Sequence, residues 1–179
     1  MALQEIGWNE AIKLASPFPY VLAVTMDNNG KANIIGLGWW TIMNWGPPKL
    51  AISVGHARYS HQCLEDNPEF TLCFPSNEIS KGAWFAGKKS GKEHDKFAEA
   101  GLEKIPAKKV KTPIIKGSTV AFECKVFKTV DVGDHTLFLA DIVAIHGDKE
   151  KASHIYTIGY EKMLGFGTDL KVEKNLAEK

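Results

Sequence analysis

Apolar residues along this chain fall mostly into short runs with strand-like alternation, and few stretches carry the spacing of a helix. "PYVLAVTM" (19–26) and "KANIIGLG" (31–38) flank "DNNG", whose Asn and Gly residues tolerate positive φ, so the pair predicts a hairpin. Further strands are predicted at "KLAISV" (49–54), "EFTLCF" (69–74), "STVAFECKVFKTV" (118–130) and "HTLFLADIVAIHG" (135–147), the last two joined by the turn composition "DVGD". Alternation over "AFECKVF" predicts one wet face there. Helical pattern is confined to short pieces. One is "WNEAIKLA" (8–15), capped by Asn9 and closed by "SPFP"; another opens at Ser60 as its N-cap. Two more, around 78–86 and 94–100, punctuate an excursion over 75–112 that is rich in Lys, Gly and Ser. From Lys149 the pattern weakens into an aromatic, Gly-punctuated tail with a charged, frayed end (149–179). No repeat or linker divides the chain. The pattern predicts a single domain over 1–179 with its core at about 17–148, mainly β (α+β): a six-stranded antiparallel barrel with short helical insertions.

Composition narrows the classes. A chain of 179 residues with 44% apolar and 10% aromatic residues can bury a core, which excludes disordered and fibrous classes. With 22 basic and 21 acidic residues the net charge is +1, so no overall field draws the protein to nucleic acid or to an acidic membrane. No apolar run approaches a membrane span, and acidic and polar residues interrupt the start "MALQEIGWNEAIKL" where a secretory signal would be apolar. Three cysteines, Cys63, Cys73 and Cys124, without a C-x-x-C pair, predict no disulfide framework and a reducing, cytoplasmic home. The closest histidines, His56 and His61, are spaced i, i+5, off a shared helical face, and no structural metal is expected.

Candidate chemistry sits in the bends. "GAWFAGKK" (82–89) fits G-x-x-x-x-G-K, but Lys89 stands where a phosphate loop needs Ser or Thr for magnesium and no hydrophobic strand feeds it. It reads as a solvated basic loop whose cations serve something else. "SVGHARYSH" (53–61) reads locally either as an ordinary capped corner or as an anion site, where helix N–H groups and the Arg58 guanidinium would grip phosphate oxygens. In "GLGWWT" (36–41) the glycines bare the backbone beside two indoles, which suits either core packing or a flat ligand. By default His135 is a surface residue at a strand start.

Taken in order, "YVLAVTMDNNGKANIIGLGWWT", "PPKLAISV", "RYSHQCLEDNPEFTLCF", "SGKEHDKF" and "CKVFKTVDVGDHTLFLADIV" resemble the flavin reductase-like family of FMN-binding split β-barrels, from about Pro19 to about Ile145. That family includes small flavin reductases, flavoredoxins and an archaeal ferric reductase. The resemblance implies FMN in a groove at a homodimer interface. It assigns Gly38, Trp39, Trp40 and Thr41 to the flavin and its ribityl chain, and Ser53 and Val54 to backbone contact with the ring. Arg58, Tyr59, Ser60 and His61 fall on the phosphate-binding bend, Ser90, Gly91, Lys96 and Phe97 on a segment that closes over the flavin, and His135 on the nicotinamide side. Many relatives have small serines where this chain has Trp39 and Trp40, which implies a narrower ring pocket.

The implied activity is hydride transfer from NAD(P)H, as co-substrate, to FMN, with electrons passing on to flavin, ferric iron or a redox partner protein. Such chemistry needs no general base, and the sequence offers no catalytic dyad or triad. The alternatives are a non-catalytic FMN electron carrier of flavoredoxin type and a barrel that has lost flavin; an intact phosphate bend disfavours the last.

Overall fold

The computed structural model describes residues 3–151, 153–159 and 161–166. A helix, α1 (Trp8–Leu14), precedes β1 (Phe18–Pro19), β2 (Val21–Met26), β3 (Ala32–Leu37), β4 (Trp40–Asn44) and β5 (Lys49–Gly55). Helix α2 (Tyr59–Asp66) leads to β6 (Glu69–Pro75), and the excursion that follows carries a 3-10 turn (Asn77–Ile79), α3 (Ser80–Lys88), α4 (Lys96–Ala100), β7 (Lys104–Ile105) and β8 (Ile114–Ile115). Two long strands, β9 (Ser118–Asp131) and β10 (His135–Gly147), and a hairpin, β11 (His154–Ile158) with β12 (Lys162–Phe166), are the last of the described elements.

The main sheet is antiparallel, in the order β3-β2-β6-β9-β10-β5-β4. It holds seven strands where six were expected, because "WTIMN" forms its own edge strand. Strands β3 and β4 lie at opposite edges, yet only Gly38 and Trp39 separate them in sequence. A flat sheet would hold those edges about 29 Å apart at ~4.8 Å per strand, whereas three Cα steps span at most about 11 Å. The sheet therefore curls until its edges meet, without a hydrogen-bonded ladder closing it. Val21, Leu37, Leu50, Ile52, Val54, Phe70, Leu72 and Phe138 fill the inside of the curl, and Leu64 of α2 plugs it. The outer face of β2, β3 and β6 forms a second core with Ala83 and Ala86 of α3 and Phe97 of α4.

Local expectations fare unevenly. The β2–β3 hairpin forms at "DNNG", where Gly30 takes φ +77° and Asp27 Oδ1 accepts the N–H groups of Asn29 and Lys31. Asn9 lies within α1, whose N-cap is Gly7, and no side chain caps that helix. The supposedly wet face of β9 is covered at Glu123, which is fully buried and accepts N–H bonds from Lys108, Lys109 and Val110 and a bond from His146. The expected tail begins instead as the β11–β12 hairpin, which pairs with β1 into a three-stranded sheet; residues 167–179 lie outside the described residues.

Candidate functional site

One cavity of about 560 Å³ opens where the curl meets the helical excursion. Its inner wall is β3, through Asn33, Ile35, Gly36 and Leu37, and its end is built from Trp39, from Ser53 and Gly55 of β5 and from His135 of β10. The bend after β5 supplies Ala57, Arg58, Tyr59 and Ser60; the opposite wall is Trp84, Gly87 and Lys88 of α3, then Lys89, Ser90, Gly91 and Lys96, with Tyr20 between. The volume falls in the range of about 300–1,000 Å³ typical of cofactor pockets.

The bend is fixed from several sides. Arg58 N–H donates to the Gly55 carbonyl at 2.9 Å, and His56 N–H donates to the Asp134 carbonyl at 3.0 Å, tying the bend to the β9–β10 turn. Helix α2 starts after Arg58 with no side-chain cap. Ser60 is thus inside the helix, correcting its expected role as N-cap, and its hydroxyl instead accepts from Asn33 Nδ2 at 2.7 Å. Tyr59 and Ser60, the first residues of α2, line the cavity beside Arg58 at the positive end of the helix dipole. Asn33 Oδ1 is buried without a hydrogen-bond partner among the described residues.

Lys96 opens α4, which Asp95 caps by accepting from the N–H groups of Phe97 and Ala98 at 3.1 and 3.2 Å. The ammonium is buried and donates to the carbonyls of Ile34 at 2.5 Å and Ala86 at 2.8 Å. Burial, with the Arg58 guanidinium nearby as a second cause, lowers its pKa to about 8. An ammonium has three N–H bonds, so one remains for a ligand. Close approach of backbone makes the wall possible: a Cβ on Gly36 or Gly87 would fall 2.0 or 1.9 Å from Tyr20 Oη, which donates to the Ala83 carbonyl. At the far end the His135 ring lies 5.1 Å from that of Trp39, and its Nδ1 bonds Asp134 Oδ1 at 2.7 Å. That bond holds the Asp134 carboxyl below its usual pKa.

Trp39, Ser53, Arg58, Tyr59, Ser60, Ser90, Gly91, Lys96 and His135 are therefore brought together as expected. Six others are not among the lining residues. Trp40 alternates away from Trp39, donates from its indole to the Pro19 carbonyl and packs edge-on against Phe74, beside a second cavity of about 210 Å³. Thr41 is exposed on β4 and bonds the Ile42 carbonyl; Gly38 serves the edge crossing. Val54 points into the sealed interior. His61 turns behind the bend, to Thr136 Oγ1 at 2.8 Å and the Phe138 ring, and Phe97 joins the outer core. Asn33, Tyr20 and Trp84 were missed. Asn33 carries a signal, a polar residue within the apolar run "ANIIGL"; the other two look like ordinary core aromatics.

The charged lining residues are Arg58, Lys88, Lys89 and Lys96, with no carboxylate among them. Fold and cavity thus define a curled β-sheet protein with a cationic cavity flanked by aromatic rings. A family profile for the flavin reductase like domain matches residues 14–163, and the chain belongs to the flavin reductase-like family. An uncharacterised protein of Archaeoglobus fulgidus is 37% identical over 122 residues, 68% of this chain and 69% of its own. An NADH-dependent FAD reductase of Streptomyces globisporus is 27% identical over 105 residues, 58% of this chain and 57% of its own. The crystal structure of flavoredoxin from Methanosarcina acetivorans superposes with a TM-score of 0.81 at 25% identity, covering 97% of this chain and 98% of that one.

The residues present fit a flavin mononucleotide. An uncapped helix start, a guanidinium and a buried ammonium suit its phosphate. The orphaned Asn33 Oδ1 suits a hydroxyl or ring N–H, and the Trp39 and His135 rings suit an aromatic edge. Among the described residues no group of three or more His, Cys, Asp or Glu side chains is placed to hold a metal, and no helix is long and apolar enough to cross a membrane.

Proposed function

We propose that this protein binds FMN and acts as an NAD(P)H-dependent flavin oxidoreductase, passing electrons onward to free flavin, ferric iron or a redox partner. The observation that carries this reading is the convergence of Arg58, Lys96 and the uncapped start of α2 in one acid-free cavity. When bound, the flavin supplies the hydride acceptor. The chain's own work is orientation. Arg58, Lys96 and the α2 N–H groups fix the phosphate end, and Asn33 satisfies a polar atom along β3. Asp134 holds His135 Nδ1, leaving Nε2 beside Gly55 to steer a nicotinamide. Gly55 leaves room for that ring: a Cβ there would come within 3.3 Å of Nε2, so the imidazole would have to shift by a few tenths of an ångström.

A homodimer belongs to this proposal. Ile42 and Met43 on edge strand β4, Trp45 at 95% exposure, and Phe127, Val130 and Val132 present apolar surface that a twofold interface would bury. So does a cytoplasmic location, which suits three buried free cysteines. The likeness to flavoredoxin over nearly the whole chain favours a second reading, an electron carrier reduced by a protein. Anaerobic stopped-flow reduction of the FMN-loaded protein separates the two. Bleaching by NADH or NADPH, slowed in His135→Ala with dithionite reduction unchanged, supports the oxidoreductase; bleaching by dithionite alone supports the carrier.

A further inference from the structure

We infer that Thr136 is a positioning residue for the anion-binding bend: its hydroxyl clamps both ends of residues 57–60 and so fixes where Arg58 and the start of α2 meet the phosphate. The inference rests on the flavin-binding reading above and assigns a role to a residue outside the cavity. His56 and His61 enclose Ala57, Arg58, Tyr59 and Ser60, all of which line the cavity. Both imidazoles end on one atom. Nε2 of His56 lies 3.1 Å from Thr136 Oγ1, and Nε2 of His61 lies 2.8 Å from it. The two rings meet edge-on, with centroids 5.0 Å apart and planes at 70°.

Strand alternation explains why the clamp sits behind the bend. Phe138 and Ala140 face the inside of the curl, so Thr136 faces it too, whereas His135 turns to the cavity. Thr136 pairs with Val54 of β5 and Asp131 of β9, and a post on a central strand is held more firmly than one on a loop. Helix α2 lacks a side-chain cap, and its first turn is tied instead by Tyr59 to Asp27, Ser60 to Asn33 and His61 to Thr136. Of these three partners, Thr136 also holds His56 at the far end of the bend. A hydroxyl has one O–H and two lone pairs, so it can bond two imidazole nitrogens at once when at least one of them carries a hydrogen. The nearby carboxylates are poorer anchors: Asp131 Oδ2 is 3.6 Å from His56 Nε2, Glu65 Oε2 is 3.5 Å from His61 Nδ1, and both side chains are largely exposed. Without the hydroxyl, His61 Nε2 would lose its partner in a residue only 8% exposed, where water does not replace it. A bend already held in its binding shape loses less freedom when the phosphate arrives.

The test uses the full chain with Thr136→Val, which keeps the shape, and Thr136→Ser, which keeps the hydroxyl. Titrations with FMN and riboflavin read a ratio of affinities, which a general loss of stability does not move. Thr136→Val should weaken FMN about three- to tenfold and leave riboflavin nearly unchanged, with Thr136→Ser close to wild type. Equal losses for both flavins, no loss in Thr136→Val, or a serine variant as weak as the valine one overturn the clamp and leave the flavin reading standing. If Thr136→Val fails to fold, Thr136→Ala takes its place, because Ala and Ser differ by the hydroxyl alone. Inorganic phosphate, followed by phosphorus NMR line broadening, separates the two readings. A wild type that binds phosphate but no flavin, with the phosphate lost in Thr136→Val and restored in Thr136→Ser, keeps the clamp and refutes the flavin reading; one that binds neither overturns both.

Discussion

Lys96 gives the cavity a titration that can be measured. Its pKa of about 8 without ligand follows from burial and from Arg58. Two of its N–H bonds are spent on the Ile34 and Ala86 carbonyls. A phosphate accepting the third would hold the proton on, so FMN binds the ammonium form and FMN binding above neutrality takes up a proton. Near pH 7 about nine in ten unliganded molecules carry that proton and near pH 9 about one in ten, so FMN affinity falls about tenfold over that interval. Burial pushes the Tyr59 pKa up to about 12 and raises those of the three buried thiols, away from this window. The sign on stability is opposite. The folded value lies below the ordinary lysine value of 10.5, so the unfolded chain holds the proton more tightly between pH 8 and 10.5 and ligand-free stability rises with pH there. The penalty at neutral pH is about 3 kcal/mol. Fluorescence titration of FMN from pH 6.5 to 9.5, with calorimetry in two buffers of different ionisation enthalpy, reads both the affinity and the proton. Lys96→Met, which keeps the apolar stem, should bind weakly with no pH step. An affinity that stays flat from pH 7 to 9 in the wild type, with no buffer-dependent heat, would refute the placement of Lys96 at the ligand.

Arg58→Ala should weaken FMN by about 1.5–3 kcal/mol, roughly ten- to hundredfold, and leave riboflavin nearly unchanged, because only FMN offers a phosphate; equal losses for both flavins would make Arg58 structural. Gly36→Ala and Gly87→Ala should each cost about 1–3 kcal/mol of stability, read as a lower unfolding midpoint in denaturant. Tyr20→Phe should rescue Gly87→Ala better than Gly36→Ala, since the ring Cζ lies 3.2 Å from the first new Cβ but 2.6 Å from the second. Burial alone would raise the Glu123 pKa, but hydrogen bonds from Lys108, His146 and Lys109 outweigh it and hold it below the usual 4.5. Its stabilisation is therefore complete above pH 4.5 and lost as pH falls through the lower folded value, and Glu123→Gln should remove that acid limb in pH-dependent unfolding.

The strands were legible because each long apolar run is bounded by turn chemistry that also works in the structure, as at "DNNG" and "DVGD". The cavity was legible where residue type alone predicts charge: Arg58 and Lys96 attract anions wherever the fold puts them. What failed depended on which way a side chain turns. Trp39 and Trp40 are adjacent on an extended segment, so only one can face the ligand, and composition does not say which. Ser60 has the chemistry of a cap, but Asn33, 27 residues away, claims its hydroxyl. Glu123 sits on the polar side of an alternating strand, and its burial comes from a lysine-rich loop that folds over it through backbone N–H groups rather than side chains. Trp84 and Tyr20 gave no sign because packing and ligand contact ask the same of an aromatic ring.

The two-residue crossing from Leu37 to Trp40 also bears on the order in which the molecule assembles. The short link ties the two edges from the start, but the curl between them is complete only once β2 has paired with β6, β6 with β9 and β10 with β5, partners that are far apart in the chain and slow to close. The cavity, walled by β3 on one side and β5 on the other, is consequently among the last features to form. A ligand seated there strengthens contacts that an earlier transition state lacks, so it lengthens the lifetime of the native state by slowing unfolding and leaves the folding rate almost untouched.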